Sequence, residues 1–273
     1  MITNLRIGKK LLTFDSPKVM GILNTTPDSF YKNSRISSTE SAIFNVQKMI
    51  EDGVDIIDIG GYSSRPGATS VDEKEEMNRV LPIITSIRSN FPDVVISCDT
   101  FRGNVAHAAL CEGANIINDI SAGEFDESLF KVVSKHQCPY VLMHSKGTPQ
   151  TMHLETSYAN LFGDIAYFFS KKINQLYELG VTDIVIDPGF GFAKTLEQNF
   201  TLLDQLSNFK LFNAPILAGI SRKSMIYKKL NVLPEEALNG TTILNTKAIL
   251  NGASILRVHD VKEAKQIITL LNP

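Results

Sequence analysis

Three cysteines in 273 residues, and no surplus of either charge, rule out several classes of protein at once. Cys98, Cys111 and Cys138 are odd in number and have no metal-ligand spacing, so they read as free thiols of a reducing, cytoplasmic compartment. Lys and Arg total 27 against 29 Asp and Glu, a net charge of −2. There is no basic excess to hold nucleic acid and no polybasic run to sit on a membrane surface. An anionic ligand remains open, because a neutral protein can concentrate positive charge in one site. The opening MITNLRIGKKLL lacks the long apolar run of a signal peptide. No segment approaches the ~20 apolar residues of a spanning helix. No linker or low-complexity tract divides the chain, so residues 1–273 read as one domain with enough chain to bury a large core.

What the sequence does contain is repetition of a pattern. Short runs rich in Ile and Val recur: VMGIL from 19, DIIDIG from 55, VVISCD from 94, NIIND from 115, PYVLMH from 139, DIVID from 183, PILAGI from 215 and SILRVHD from 254. They are continuously apolar rather than alternating, as parallel strands covered on both faces must be. Helical patterns lie between them, several closing on glycine, such as STESAIFNVQKMIEDG and LNGTTILNTKAILNG. Eight such alternations predict an α/β fold, a single (β/α)8 TIM barrel. A doubly wound open sheet is the alternative. The segment NLRIGKKLLTF, turning at Gly8-Lys9, predicts an N-terminal β-hairpin capping the bottom of the barrel.

In a barrel of this kind the site lies on the rim where the strands end. After the apolar runs come Asn24; GGYSSRPGA; Asp99; Asn118 and Asp119; His144; Asp187; SRKS; and Arg257, His259 and Asp260. Any one of these is an ordinary polar strand exit; the set of eight on one rim is a site. Asp99, Asp187 and Asn118 offer acceptors and one amide donor, which suits a flat heterocycle with several N–H groups. Lys223 adds a cation, and Phe192, with Phe190 beside it, a flat apolar wall. Asn24, Ser64, Arg65, Arg257 and His259 suit a phosphate or diphosphate. SRKS opens a helix whose free N–H groups, with Ser224, suit a small anion such as a carboxylate.

These segments resemble the dihydropteroate synthases, the folate-pathway family targeted by sulfonamides. The resemblance runs in order through MGILNTTPDSF (20–30), DIIDIGGYSSRPGA (55–68), SCDT (97–100), NDISAG (118–123), MHSKGTPQTM (143–152), DPGFGFAKT (187–195), GISRKS (219–224) and ILRVHDV (255–261). It implies a transferase that joins 6-hydroxymethyl-7,8-dihydropterin diphosphate to p-aminobenzoate and releases diphosphate. It implies that Asp99, Asn118, Asp187, Phe192 and Lys223 hold the pterin, with Asp99, Asp187 and Lys223 closest to the chemistry. Asn24 would meet Mg2+ and the diphosphate, with Ser64, Arg65, Arg257 and His259 around the latter. Phe30, Pro66, Phe192 and Ser224 would line the aminobenzoate site. The family's usual homodimer implies a contact through helices near the C-terminus, and no nucleic-acid or membrane partner.

The chain departs from the family pattern in places. Tyr62-Ser63-Ser64 stands for a common Glu-Ser-Thr, YKNSR follows Phe30 where glycines are usual, and Ala193 and Cys98 replace a common glycine and valine. The last two read as mild, with Cys98 as core filler. His107, His136 and His153 read as surface residues, His144 as either a ligand contact or packing, and DEKEEMNR (72–79) as a solvated helix face. Two other functions stay open: a pterin-binding methyltransferase with a corrinoid partner, and a non-catalytic pterin-binding homologue. A Schiff-base role for Lys223 finds no carbonyl chemistry around it.

Overall fold

The computed structural model describes residues 4–25, 38–62, 71–148, 150–152 and 154–271. Eight parallel strands form one sheet: β3 (Lys18–Asn24), β4 (Ile56–Gly60), β5 (Val95–Asp99), β6 (Ile116–Asp119), β7 (Tyr140–Met143), β8 (Ile184–Asp187), β9 (Leu217–Ala218) and β10 (Ile255–Val258). β10 pairs with β3, and a parallel bridge between Ile186 and Ile216 joins β8 to β9. The ring is therefore closed, which excludes the open-sheet alternative. Around it lie α1 (Ser38–Glu51), α2 (Glu73–Asn90), α3 (Gly103–Cys111), α4 (Ser128–His136), α5 (Leu161–Glu178), α6 (Leu196–Asp204), α7 (Ser224–Leu230), α8 (Leu238–Leu250) and α9 (Val261–Leu271). The larger apolar core fills the space between strands and helices, with Ile57, Ile59, Ile96, Ile117, Tyr140, Leu142 and Phe169 among its members.

Strand alternation turns every second residue into the barrel. The innermost apolar layer takes Met20, Ile56, Val95, Ile116, Val141, Val185, Leu217 and Ile255, one from each strand. The hairpin, β1 (Asn4–Ile7) and β2 (Lys10–Thr13), adds Leu5 and Ile7 to the same cluster from below. Its turn falls at Gly8-Lys9, with Gly8 at φ 58, and the Arg6 N–H donates to Asp183 at 3.0 Å at the foot of β8. The base of the barrel is thus plugged and dry. Two residues further along each strand the character changes: Ile22, Asp58, Ser97, Asn118, Met143, Asp187, Gly219 and Arg257 share the inner face. The same alternation sends Asp119 outward. There it accepts from Tyr140 Oη at 2.6 Å and from the N–H groups of Ser121 and Gly123, both at 2.7 Å.

The 72–79 run differs from its sequence reading. Asp72 caps α2 by accepting from the Glu75 N–H at 2.8 Å, but Glu76 is fully buried and paired with Arg102. Burial pushes the Glu76 carboxyl up, opposed by Thr100 and Arg102. Helix α2 leans against the end of β4 at Gly61, where a Cβ would stand 2.8 Å from Val80. That close approach takes Glu76 out of solvent.

Candidate active site

The polar layer above the dry base is organised by two side chains that face across the barrel. Arg257 Nε donates to Asp58 at 2.7 Å and its Nη2 donates to Asp99 at 2.7 Å. Asn118 Nδ2 donates to the same Asp58 oxygen at 3.1 Å. Asp58 is fully buried, and its other oxygen, Oδ1, has no hydrogen-bond partner. Sequence reasoning missed Asp58, because it looked for polar residues after the apolar runs and this acid lies inside one. A carboxylate in mid-strand was itself the signal, since acids are seldom fully buried without a partner.

Asp187 closes the opposite side. One oxygen accepts from the Gly189 N–H at 2.8 Å, and the backbone carbonyl takes the His144 N–H at 2.9 Å. Burial raises its pKa, with Lys223 the largest opposing influence and Arg257 a further one. The loop DPGFGF can turn here only because of its glycines. Gly189 sits at φ 75, and a Cβ there would stand 2.0 Å from the His144 carbonyl oxygen. Gly191, at φ 79, lets the Lys223 stem pass. Lys223 donates to the Phe190 carbonyl, and its Nζ lies 4.6 Å from the centre of the Phe192 ring. The two phenylalanines therefore differ in role. Phe192 is half-buried beside the lysine, whereas Phe190 is fully buried in the outer core and supplies no wall.

Enclosure dominates the electrostatics. Asp99 is raised to about 7 by burial, against the pull of Arg257 and with help from Asp58. Its side chain keeps 20% of its surface, so solvent moderates the push without reversing it. Lys223 is lowered to about 8 by burial, while Asp187 works the other way. The site thus holds three acids, Asp58, Asp99 and Asp187, against two cations in a low-dielectric cup. It favours a ligand that presents N–H donors to the acids and a flat face to Phe192.

Lys194 also escaped the sequence reading. It is buried, and its Nζ reaches His144 Nδ1 at 3.1 Å and the carbonyls of Gly189 and Phe192, each at 3.0 Å. His144 is buried and packed: it lies edge-on to Phe168 with centroids 4.9 Å apart, and burial followed by Lys194 pushes its pKa well down. Lys194 itself falls to about 7 by burial. Replacing it with methionine leaves the Phe192 carbonyl without its donor, while the Gly189 carbonyl keeps the Phe192 N–H at 3.1 Å, and is expected to cost about 1 kcal/mol. The pH sign follows from its depressed pKa. Its stability contribution is present above the ordinary value of 10.5 and is lost as pH falls toward 7. The wild type should therefore gain on Lys194→Met between pH 7 and pH 9.5 in denaturant titrations; a constant gap would show that the lysine is not held in this way.

The remaining candidates lie around the rim. Asn24 ends β3 half-buried, level with Gly60 of β4. His259 is exposed, with Nδ1 3.1 Å from Ser221 Oγ. Ser224 is the first residue of α7. Phe30, Ser64, Arg65 and Pro66 lie outside the described residues. Of the six described non-glycine residues at positive φ, Ala193 and Arg222 stand in the loops that carry the candidates after β8 and β9. Ala193 sits at φ 49, so its replacement of glycine is not mild; that region costs an alanine about 1 kcal/mol. Arg222 sits at φ 53, held by a fork to Asp260 at 2.9 and 2.8 Å and by the carbonyls of Pro234 and Glu235.

Residues 20–259 match the family described as pterin binding enzyme. The chain belongs to that family. As a pterin binding enzyme it is 47% identical over 252 residues to the dihydropteroate synthase of Synechocystis sp., covering 91% of this chain and 87% of the relative. The Yersinia pestis dihydropteroate synthase, solved with a sulfonamide drug complex, superposes with a TM-score of 0.93 at 38% identity, covering 98% of both chains. The Xanthomonas albilineans dihydropteroate synthase, solved in complex with 7,8-dihydropteroate, gives 0.89 at 32% identity over 98% of this chain and 97% of that one. The barrel and its hairpin are thus those of the pterin binding enzymes.

Proposed function

We propose that this chain is a dihydropteroate synthase. It joins p-aminobenzoate to 6-hydroxymethyl-7,8-dihydropterin diphosphate and releases diphosphate. The observation that carries the reading is the cup of Asp58, Asp99, Asn118 and Asp187 with Lys223 and Phe192 at its side. A pterin's amino and ring N–H edge meets the Asp187 carboxylate, which can accept two such donors together. Phe192 and the lysine stem take the ring face, and Asp99 and Asn118 take the far edge.

In the reaction the bond between the pterin's exocyclic CH2 and the diphosphate oxygen breaks, and the bonding pair leaves with the diphosphate. The positive charge left on the pterin lies above Asp99 and Asp187, whose field stabilises it without any covalent step. The aniline nitrogen then forms the C–N bond and gives up a proton. Arg257 holds Asp99 in place and His259 faces the leaving group from the rim. The donor set suits Mg2+: Asn24 offers an amide oxygen at the end of β3, and in the layer below it Asp58 Oδ1 is an acceptor with no partner, both hard oxygen donors. Asn24 would hold the ion, which when bound offsets the charge of the departing diphosphate.

Phe30, Pro66 and Ser224 would receive the aminobenzoate, and Ser64 and Arg65 the diphosphate. Ile243 and Leu250 of α8 are 57% and 68% exposed, which supports a homodimer through this helix. Among the described residues no helix is long and apolar enough to cross a membrane, and we place the enzyme in the cytoplasm. Supplying pterin diphosphate, Mg2+ and p-aminobenzoate should give dihydropteroate and diphosphate in equal amounts. Pterin binding without product would mark a non-catalytic homologue, and methyl transfer to or from a corrinoid would mark the methyltransferase.

A further inference from the structure

Away from the rim, three side chains with metal-ligand chemistry converge on the outer wall. His107 and Cys111 are one turn apart on α3, and His136 is the last residue of α4. His107 Nδ1 lies 2.7 Å from His136 Nε2 and 4.0 Å from Cys111 Sγ. All three ligand atoms fall within 4.8 Å of one another. We infer that His107, Cys111 and His136 form a binding site for a zinc-type divalent ion, which ties the ends of α3 and α4 together at the pole opposite the active site.

The ligand types choose the ion. Two imidazoles and a thiol are borderline-soft donors, and no carboxylate belongs to the group, so Mg2+ and Ca2+ are poorly served. Zn2+ takes such sets at about 2.0 Å to nitrogen and about 2.3 Å to sulfur in a tetrahedron. That geometry puts the two nitrogens about 3.3 Å apart and nitrogen and sulfur about 3.6 Å apart. The imidazoles must open slightly from 2.7 Å and the thiol must close from 4.0 Å. Both are rotations of side chains at or near the surface, and the fourth position is left for water. The fold does not need the trio: α3 packs inward through Gly103, Val105, Ala106 and Ala109, not through His107 or Cys111.

Cys111 is the exposed thiol, and Cys98 and Cys138 are buried, so the site reports on itself. In the native protein one thiol should react quickly with a disulfide reagent, and Zn2+ should slow that reaction more than tenfold. Co2+ should give a thiolate charge-transfer band that Cys111→Ser abolishes. His107→Gln and His136→Gln should each lose the zinc protection while keeping the wild-type melting temperature without metal. Zinc should raise the melting temperature of the wild type but not of Cys111→Ser. An unchanged thiol rate with zinc, no cobalt band, or protection that persists in both histidine variants would overturn the proposal, the last by showing a lone thiolate at work.

Discussion

Arg257→Ala should destabilise the protein by about 3 kcal/mol at neutral pH, the lower end of the range for breaking a buried pair. Its guanidinium serves two acids at once, and removing it leaves Asp58 fully buried and Asp99 mostly so, with no cation between them. The lower end applies because the Arg257 and Asp99 side chains keep 21% and 20% of their surface. The pH dependence is fixed by Asp99. Its folded pKa, about 7, lies above the ordinary 3.8, so the native protein binds a proton in that window that the unfolded chain does not. Its contribution is full below 3.8 and falls as pH rises through 7. Removing Arg257 takes away its main opposing influence and pushes it higher. The variant's deficit should therefore be larger at pH 8 than at pH 5. Arg257→Lys, which keeps the charge but not the fork, should fall between. Chemical denaturation at the two pH values decides it, and an equal deficit at both would remove Asp99 from the account. The sequence assigned Arg257 to the diphosphate; in this structure two of its nitrogens already serve Asp58 and Asp99. Pterin binding should therefore suffer in the alanine variant along with diphosphate binding.

Asp187→Asn should weaken pterin binding by about 2–4 kcal/mol, roughly 30- to 1000-fold. The amide presents N–H groups to a ligand edge that is itself made of N–H groups. The fold should be nearly indifferent. An asparagine oxygen can still accept from the Gly189 N–H, and the cost of enclosing a charge, visible in the raised pKa of Asp187, disappears. Calorimetry with a pterin, set beside a thermal melt, separates the two effects. Wild-type affinity in the variant would take Asp187 out of the pterin contact, and a collapsed melting temperature would recast it as a structural acid.

The barrel was legible because parallel strands covered on both faces leave a simple trace, eight apolar runs between helices. The rim was legible for the same reason, since each run stops where the polar residues start. What the sequence hid depends on direction rather than composition. Asp58 and Ser97 lie inside runs, and only the closed ring shows that they face inward, Asp58 onto Arg257. Lys194 stands in a glycine-rich loop, and no local pattern says that its amine folds back onto two carbonyls and His144. Glu76 belongs to a charged run that looks solvated until α2 is seen against Gly61. His136 meets His107 and Cys111 only because α3 and α4 are neighbours. Counting cysteine spacings finds none of this, since two of the three ligands are histidines and one is on another helix.

The wall of the barrel is uneven. Between β8 and β9 a single bridge, Ile186 to Ile216, carries the sheet across, and β9 itself is two residues long. Asp187 stands on one side of this seam and Lys223 follows the other. The pocket therefore straddles the weakest joint of the ring. A ligand held by both would act as a stitch across it, so that filling the site would also reinforce the seam.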